Sequence, residues 1–264
     1  MRFIAILAAL LASFLVFGSG ATANERHFTY TYETGTLPPG ALEFEPSLTF
    51  RTEKDAFYNR MDTRLEFEFG VTDSVQSALY FNLSAESQRI DESIVNVWKM
   101  PSVSNEWKFK VLDPLADALG LGLYLEVTGA PHELELEGKL LADKHLGPIL
   151  VAFNAVFESE SKVEPEELET EFALEFDLGV AWLLHENFSL GLEVRNKSVM
   201  DADGELAHSA LFAGLTASFS AERYWVSLTA LPQVFGIKGN VGGDSLNLSE
   251  FTMVESRLLF GFHL

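Results

Sequence analysis

Acidic side chains recur at two-residue intervals along this 264-residue chain: Glu43 and Glu45, Asp62, Glu66 and Glu68, Glu133, Glu135 and Glu137, then Glu175 and Asp177. Glu126, Glu171 and Glu193 sit in similar surroundings. Bases share the spacing: Arg51, Arg60, Arg64, Lys108, Lys110, Lys139, Arg195 and Arg257. On a β-strand, residues two apart point the same way, so these groups would form charged faces. Such a face can do two kinds of chemistry. Paired carboxylates can hold and pass protons. A wall carrying one sign of charge along a narrow path concentrates solutes of the other sign. Carboxylate pairs are so frequent here that none stands out as an acid–base couple, and the second reading is favoured.

Other chemistry is hard to place. There is no Cys, which excludes disulfides, thiolate metal sites and thiol catalysis. Of the six His, only His208 adjoins a Ser, and neighbours on a strand point to opposite faces. Neither G-x-S-x-G nor H-E-x-x-H occurs. His185-Glu186-Asn187 reads as a turn. The acidic stretches Asp201–Glu205 and Glu158–Glu169 lack the twelve-residue Ca²⁺-loop pattern and read as solvated loops. No catalytic residue, cofactor or metal is therefore assigned, and an enzyme is not expected. A formal net charge of −21 argues against nucleic acid as a partner.

The elements that would position these charges are strands. In Ala41–Thr52, Leu42, Phe44, Leu48 and Phe50 share one face, and Glu43, Glu45, Ser47, Thr49 and Arg51 the other. Asn59–Gly70 repeats the pattern, and the turn Gly70–Ser74 leads into Val75–Ser84. Further strands are predicted near Asn105–Leu112, Leu121–Thr128, His132–Leu141, Ile149–Glu158, Thr170–Leu183, Phe188–Asn196, Ser209–Ser220, Tyr224–Phe235 and Phe251–Leu264, twelve in all. Short connections (Gly70–Ser74, Asp143–Gly147, His185–Asn187, Ala221–Arg223) alternate with longer polar ones (Ala85–Ser104, Ser159–Glu169, Lys197–His208, Gly236–Glu250). Asp113–Gly120 and Gly129–Pro131 depart from that trend. Alternating turns and loops with an even strand count are the signature of a transmembrane barrel.

The two ends of the chain agree. Arg2, the apolar run Phe3–Phe17 and Ala21-Thr22-Ala23 form a secretory signal with cleavage expected near Ala23. No later apolar run is long enough for a spanning helix, so a membrane form must be a closed barrel. At the other end Leu258, Phe260, Phe262 and Leu264 share a face, like the C-terminal strand by which the outer-membrane assembly machinery selects its substrates. Trp107, Tyr124, Phe157, Trp182, Phe188 and Tyr224 are expected as interfacial girdle aromatics. The competing reading is a soluble barrel with its polar face turned to water.

Several segments resemble an uncharacterised family of bacterial outer-membrane, transporter-like β-barrels: Tyr32–Gly40 running into Leu42–Glu45, Arg64–Asp73, Gly122–Glu126, Glu133–Lys139, Leu146–Pro148 and Asn154. The resemblance implies an outer-membrane barrel with no agreed substrate.

The sequence thus predicts an all-β protein: a transmembrane antiparallel up-and-down barrel of about 12 strands over residues 40–264. A signal peptide (1–23) precedes it, with an N-terminal segment (24–39) forming a periplasmic plug or an extra strand. It is expected in the outer membrane of a Gram-negative bacterium, in contact with lipid, lipopolysaccharide and the assembly machinery. The leading function is a passive channel for small polar or cationic solutes. The candidate lining is Glu43, Glu45, Arg51, Arg60, Asp62, Arg64, Glu66, Glu68, Lys108, Lys110, Glu126, Glu135, Glu137, Lys139, Glu175, Asp177, Glu193 and Arg195, with Arg51, Arg60 and Arg64 at the constriction. The alternatives are a non-conducting structural or interaction barrel that binds lipopolysaccharide or a partner through its acidic loops, its interior zipped by ion pairs such as Arg51 with Glu66 or Glu68, and a membrane-embedded lipid hydrolase.

Overall fold

Period-two alternation becomes thirteen strands in a computed structural model, which describes residues 25–163, 168–201 and 203–264. The signal predicted over 1–23 and its cleavage site lie outside the described residues. The strands are β1 (Leu42–Thr52), β2 (Tyr58–Thr72), β3 (Val75–Ile90), β4 (Ser93–Trp98), β5 (Ser102–Leu112), β6 (Gly120–Ala130) and β7 (Glu133–Leu146). They continue as β8 (Ile149–Val163), β9 (Leu168–His185), β10 (Phe188–Met200), β11 (Leu206–Ala221), β12 (Tyr224–Lys238) and β13 (Val254–His263). β3 pairs with β4 over Ala85–Ile90 and with β5 over Val75–Asn82. β4 and β5 are therefore two halves of one wall strand, interrupted next to Pro101, which has no N–H to donate. Pairing of β1 with β13 closes an antiparallel barrel of twelve strands.

The strands run further than hydrophobic alternation suggests. Residues 85–104, expected as a loop, instead continue the wall as the β3–β4 ribbon. Its inward and outward positions are both polar or mixed (Glu86, Gln88, Ser93, Asn96), so pairing there left no hydropathy signal. Likewise β8 reaches Val163, β9 begins at Leu168, β10 reaches Met200 and β11 begins at Leu206. β13 starts at Val254, three residues later than predicted, because Phe251 and Thr252 are buried outside the ladder. The connections 73–74, 113–119, 147–148, 186–187 and 222–223 share one end of the barrel with the start of β1 and the end of β13. This is the turn end; the opposite, loop end carries residues 239–253 as its longest irregular connection.

The alternation is inside out relative to a soluble protein. Along β6, Leu121, Leu123, Leu125 and Val127 are exposed while Gly122, Tyr124, Glu126 and Thr128 are buried. Phe81, Trp182, Leu192 and Leu215 lie 54–73% exposed on the outer wall, whereas Glu43, Glu106 and Glu193 are at most 1% exposed. A soluble barrel would reverse this, so the outer wall is built for lipid. Trp107, Phe157, Trp182 and Phe188 lie outward as expected of girdle residues. Tyr124 does not: it shares parity with Glu126 and points inward, 1% exposed.

The closing seam depends on one glycine. Trp225 of β12 faces Gly261 of β13, and its indole passes over that residue to donate from Nε1 to Glu43 of β1 at 2.9 Å. A Cβ on Gly261 would lie 2.1 Å from Trp225 Nε1. At the same seam Leu264 N donates to Leu42 O at 3.0 Å. Gly261→Val is expected to displace the indole and cost about 1–3 kcal/mol, the usual range for overpacking. Urea unfolding in lipid vesicles, followed by Trp fluorescence, measures this; an unchanged midpoint would exclude the seam as a stability determinant.

Candidate functional site in the barrel interior

The eighteen predicted lining residues are all buried or half-buried, but they fall into distinct settings. At the turn end, Glu43 and Glu45 of β1 stand opposite Glu68 and Glu66 of β2. Trp225 and His263 hold Glu43, the latter with Nδ1 2.5 Å from Oε2, and Arg26 Nη1 lies 3.4 Å from Glu45 Oε1. Lys108 of β5 is buried beside this wall, whereas Lys110 reaches the rim, 3.4 Å from Asp113 in the turn. Glu106 belongs to the same group, fully buried and accepting from the Tyr80 hydroxyl. Sequence reasoning missed Glu106, although its parity with Lys108 marks it as inward-facing.

Midway along the barrel, ion pairs cross the interior as chords. Arg64 on β2 reaches Glu126 on β6 at 2.5 Å, passing over two intervening wall strands. Tyr124 also donates to Glu126 at 2.5 Å, and Lys139 pairs with Glu137 at 3.0 Å. On the other side Arg195 of β10 grips Glu175 through two bonds of 2.6 Å. The same guanidinium reaches Glu255 on β13 at 2.7 Å and lies 3.8 Å from Asp177. A bidentate guanidinium–carboxylate pair is the strongest of these contacts. Arg51 pairs with Asp62 and Glu255, and Arg60 with Asp62. The expected pairing of Arg51 with Glu66 or Glu68 does not form, because the β1–β2 register sets Arg51 opposite Arg60, far along the strand from those acids. Glu135 lies half-buried towards the loop end, grouped with Glu133 and Glu160.

Residues 25–40 join no strand; they enter the interior from the turn end, rise to mid-barrel and return. Their backbone is held by side chains of the wall. Thr29, Tyr30 and Thr31 donate their N–H groups to Glu193 at 3.1, 2.9 and 2.8 Å, and Thr229 adds its hydroxyl at 2.6 Å. Tyr32 exchanges two bonds with the side chain of Asn154, Thr34 donates to Asp143, and Leu37 N donates to Gln76. Phe28 is fully buried with Leu150, Ala152 and Ala181, where a Cβ on Gly179 would come within 2.7 Å of its ring. From the loop end, the stretch around Asn247 and Phe251 folds inward as well: Phe251 joins Tyr30, Ala210, Phe212 and Leu231 in one apolar cluster. Arg257 and Arg195 lie over the Tyr30 ring at 4.1 and 4.6 Å. Asn154, Tyr80 and Glu255 were not in the predicted lining either. Only parity along their strands could have found them.

At the base of this segment His27 and Glu33 pair, with Nδ1 3.2 Å from Oε1 and the His27 N–H donating to the same oxygen at 2.9 Å. Burial opposes charge on His27, but the neighbouring carboxylate prevails and holds the imidazole above its ordinary 6.5. Burial also pushes Glu33 up, yet the imidazolium and its N–H bonds prevail and hold it below 4.5.

His208 and Ser209, the single His–Ser neighbour pair, turn to different partners: Ser209 to Ser198, and His208 to Glu250 at 3.7 Å. The arrangement is not a nucleophile–base couple.

Comparison with solved structures finds the same fold in outer-membrane barrels. It resembles an outer-membrane channel from Pseudomonas putida F1 with a TM-score of 0.62 at 11% identity, over 90% of this chain and 100% of that one. It resembles the NanC porin with a TM-score of 0.53 at 12% identity, over 85% and 100%. The β domain of the Bordetella autotransporter BrkA gives a TM-score of 0.55 at 8% identity, over 86% and 100%. Identities this low show a shared fold. No curated protein matches the sequence. A family model does match, across residues 20–264, and the chain belongs to the family of unknown function DUF6662.

Proposed function

We propose that this chain is an outer-membrane channel for small polar or cationic solutes, closed at rest by its own N-terminal segment. The observation that carries the reading is how residues 25–40 are held. They occupy the interior through side-chain-to-backbone bonds and the buried aromatics Phe28, Tyr30 and Tyr32, and form none of the strands. Such a segment can leave while every strand pairing survives. The turn end then faces the periplasm and the loop end the exterior, as in barrels of this type. The excess of interior carboxylates favours cations, and the likeness to an outer-membrane channel and a porin supports the class.

A second reading has its own support. The chords Arg64–Glu126 and Arg195–Glu255 cross the interior between wall strands alone. They would suit a barrel that never conducts and instead meets lipopolysaccharide or a partner through its acidic loops.

Planar-bilayer recording separates the two. The intact chain is expected to give small or rare openings, and a variant lacking residues 25–38 large, steady ones. A folded variant that stays silent would favour the non-conducting barrel. Under a KCl gradient the open form should show a cation-selective reversal potential that moves towards zero in Glu135→Gln/Glu137→Gln. An unmoved potential would remove these carboxylates from the selective path.

Closure should also depend on pH. The Glu33 contribution is present above about 4.5 and is lost as pH falls through its lowered value. The His27 contribution is present below about 6.5 and is lost as pH rises through its raised value. The segment is therefore held best in mildly acid solution and loosens on the alkaline side. Channel opening should rise across that alkaline limb, and His27→Gln should flatten it; an identical profile in the variant would refute the pair's role.

A further inference from the structure

We propose that Glu66, Glu68 and Glu106 bind one divalent cation of the Ca²⁺ class inside the turn-end half of the barrel. The β1–β2 register places Glu45 opposite Glu66 and Glu43 opposite Glu68, and like charges directly opposite each other repel. The other wall avoids this arrangement: Asp177 stands opposite Arg195, Glu175 opposite Lys197 and Glu255 opposite Arg51. The acidic wall is only partly compensated. Trp225 and His263 engage Glu43, and Arg26 engages Glu45.

Glu66, Glu68 and Glu106 remain; the buried Lys108 stands near Glu68 and Glu106 but closes no ion pair with either, and the three carboxylates converge. One carboxylate oxygen from each lies within 4.8 Å of the others. Ligands on opposite sides of a Ca²⁺ ion are separated by about 4.6–5.2 Å, twice a bond of 2.3–2.6 Å. Three oxygens at this spacing can meet one ion without backbone movement, whereas Mg²⁺, with bonds of about 2.0–2.1 Å, would need a tighter set.

A second observation points to a ligand. Glu66 Oε1, Glu68 Oε2 and Glu106 Oε1 are buried and have no hydrogen-bond partner, on side chains 5%, 5% and 0% exposed. Buried carboxylate oxygens without donors are costly, and a cation satisfies all three at once. Tyr80 donates to the other oxygen of Glu106, which is how an outer hydroxyl orients a metal ligand. The trio Glu133, Glu135 and Glu160 has similar spacing at the loop end but is only half-buried, and serves as the control.

The test uses the full chain refolded in detergent micelles and stripped with a chelator, and it does not depend on conduction. Calorimetric titration with CaCl₂ should show saturable one-to-one binding, weaker with MgCl₂. Glu68→Gln should weaken Ca²⁺ by about tenfold or more, while Glu135→Gln leaves it unchanged. Should the Glu68 variant fail to fold, Tb³⁺ on the unmodified protein replaces it, with Tyr-sensitised emission that Ca²⁺ competes away. Absence of saturable Ca²⁺ binding, undiminished binding in folded Glu68→Gln, or Tb³⁺ emission that Ca²⁺ cannot displace would each overturn the proposal. In those cases the carboxylates satisfy one another by sharing protons.

Discussion

Everything in this molecule follows from the requirement that each strand's backbone groups find partners without water. The pairing of β1 with β13 meets that requirement by leaving no edge. Closure through antiparallel pairs alone imposes an even number of wall strands, and β4 and β5 respect it by sharing one place in the wall. It also imposes a strict division of side chains. One parity must suit hydrocarbon, so the other parity inherits nearly all of the polar chemistry, however crowded it becomes.

The crowding is resolved differently on the two sides of the interior. Where Arg195 and Arg51 project, acids stand opposite bases and both guanidiniums pair with Glu255, while Arg257 rests on Thr49 and the Tyr30 ring. Where β1, β2 and β5 meet, acids face acids; Lys108 of β5 stands among them, and the direct contacts come from elsewhere in the chain: an indole of β12, an imidazole at the C-terminus and a guanidinium of the inserted segment. The acidic wall thus ties together regions far apart in sequence. Inserting residues 25–40 poses a separate problem, since an irregular backbone in a confined space needs partners for its own N–H and C=O groups. Glu193, Asn154 and Gln76 meet that need with side-chain oxygens, so the segment is recognised by the wall much as a peptide ligand would be.

Much of this was legible from residue order. Alternation in segments such as Leu42–Phe50 and Arg64–Phe69 carries both the strand and its orientation, because one face is uniformly apolar. It fails where both faces are polar or mixed, as in the ribbon around Glu86–Asn96, since strand pairing itself needs no apolar face. Inward parity found most of the interior charges and would have found Glu106 and Tyr124 had it been applied without exception. Which charges meet was not legible. Arg64 and Glu126 are joined across the lumen, and Arg51 is kept from Glu66, by barrel register and curvature that no single strand encodes. The seating of residues 25–40 was equally hidden, because Phe28, Tyr30 and Tyr32 alternate just as an edge strand would.

The apolar cluster of Tyr30, Phe212, Leu231 and Phe251 has a consequence of its own. One of its aromatic members hangs from the loop end and another rises from the turn end, so the two halves of the barrel are in mechanical conversation through a single greasy joint. Pulling Phe251 outward strips cover from Tyr30, and withdrawing Tyr30 loosens the seat of the long loop. A molecule that grips that loop would thereby transmit a tug to the turn end, with no strand shifting its register.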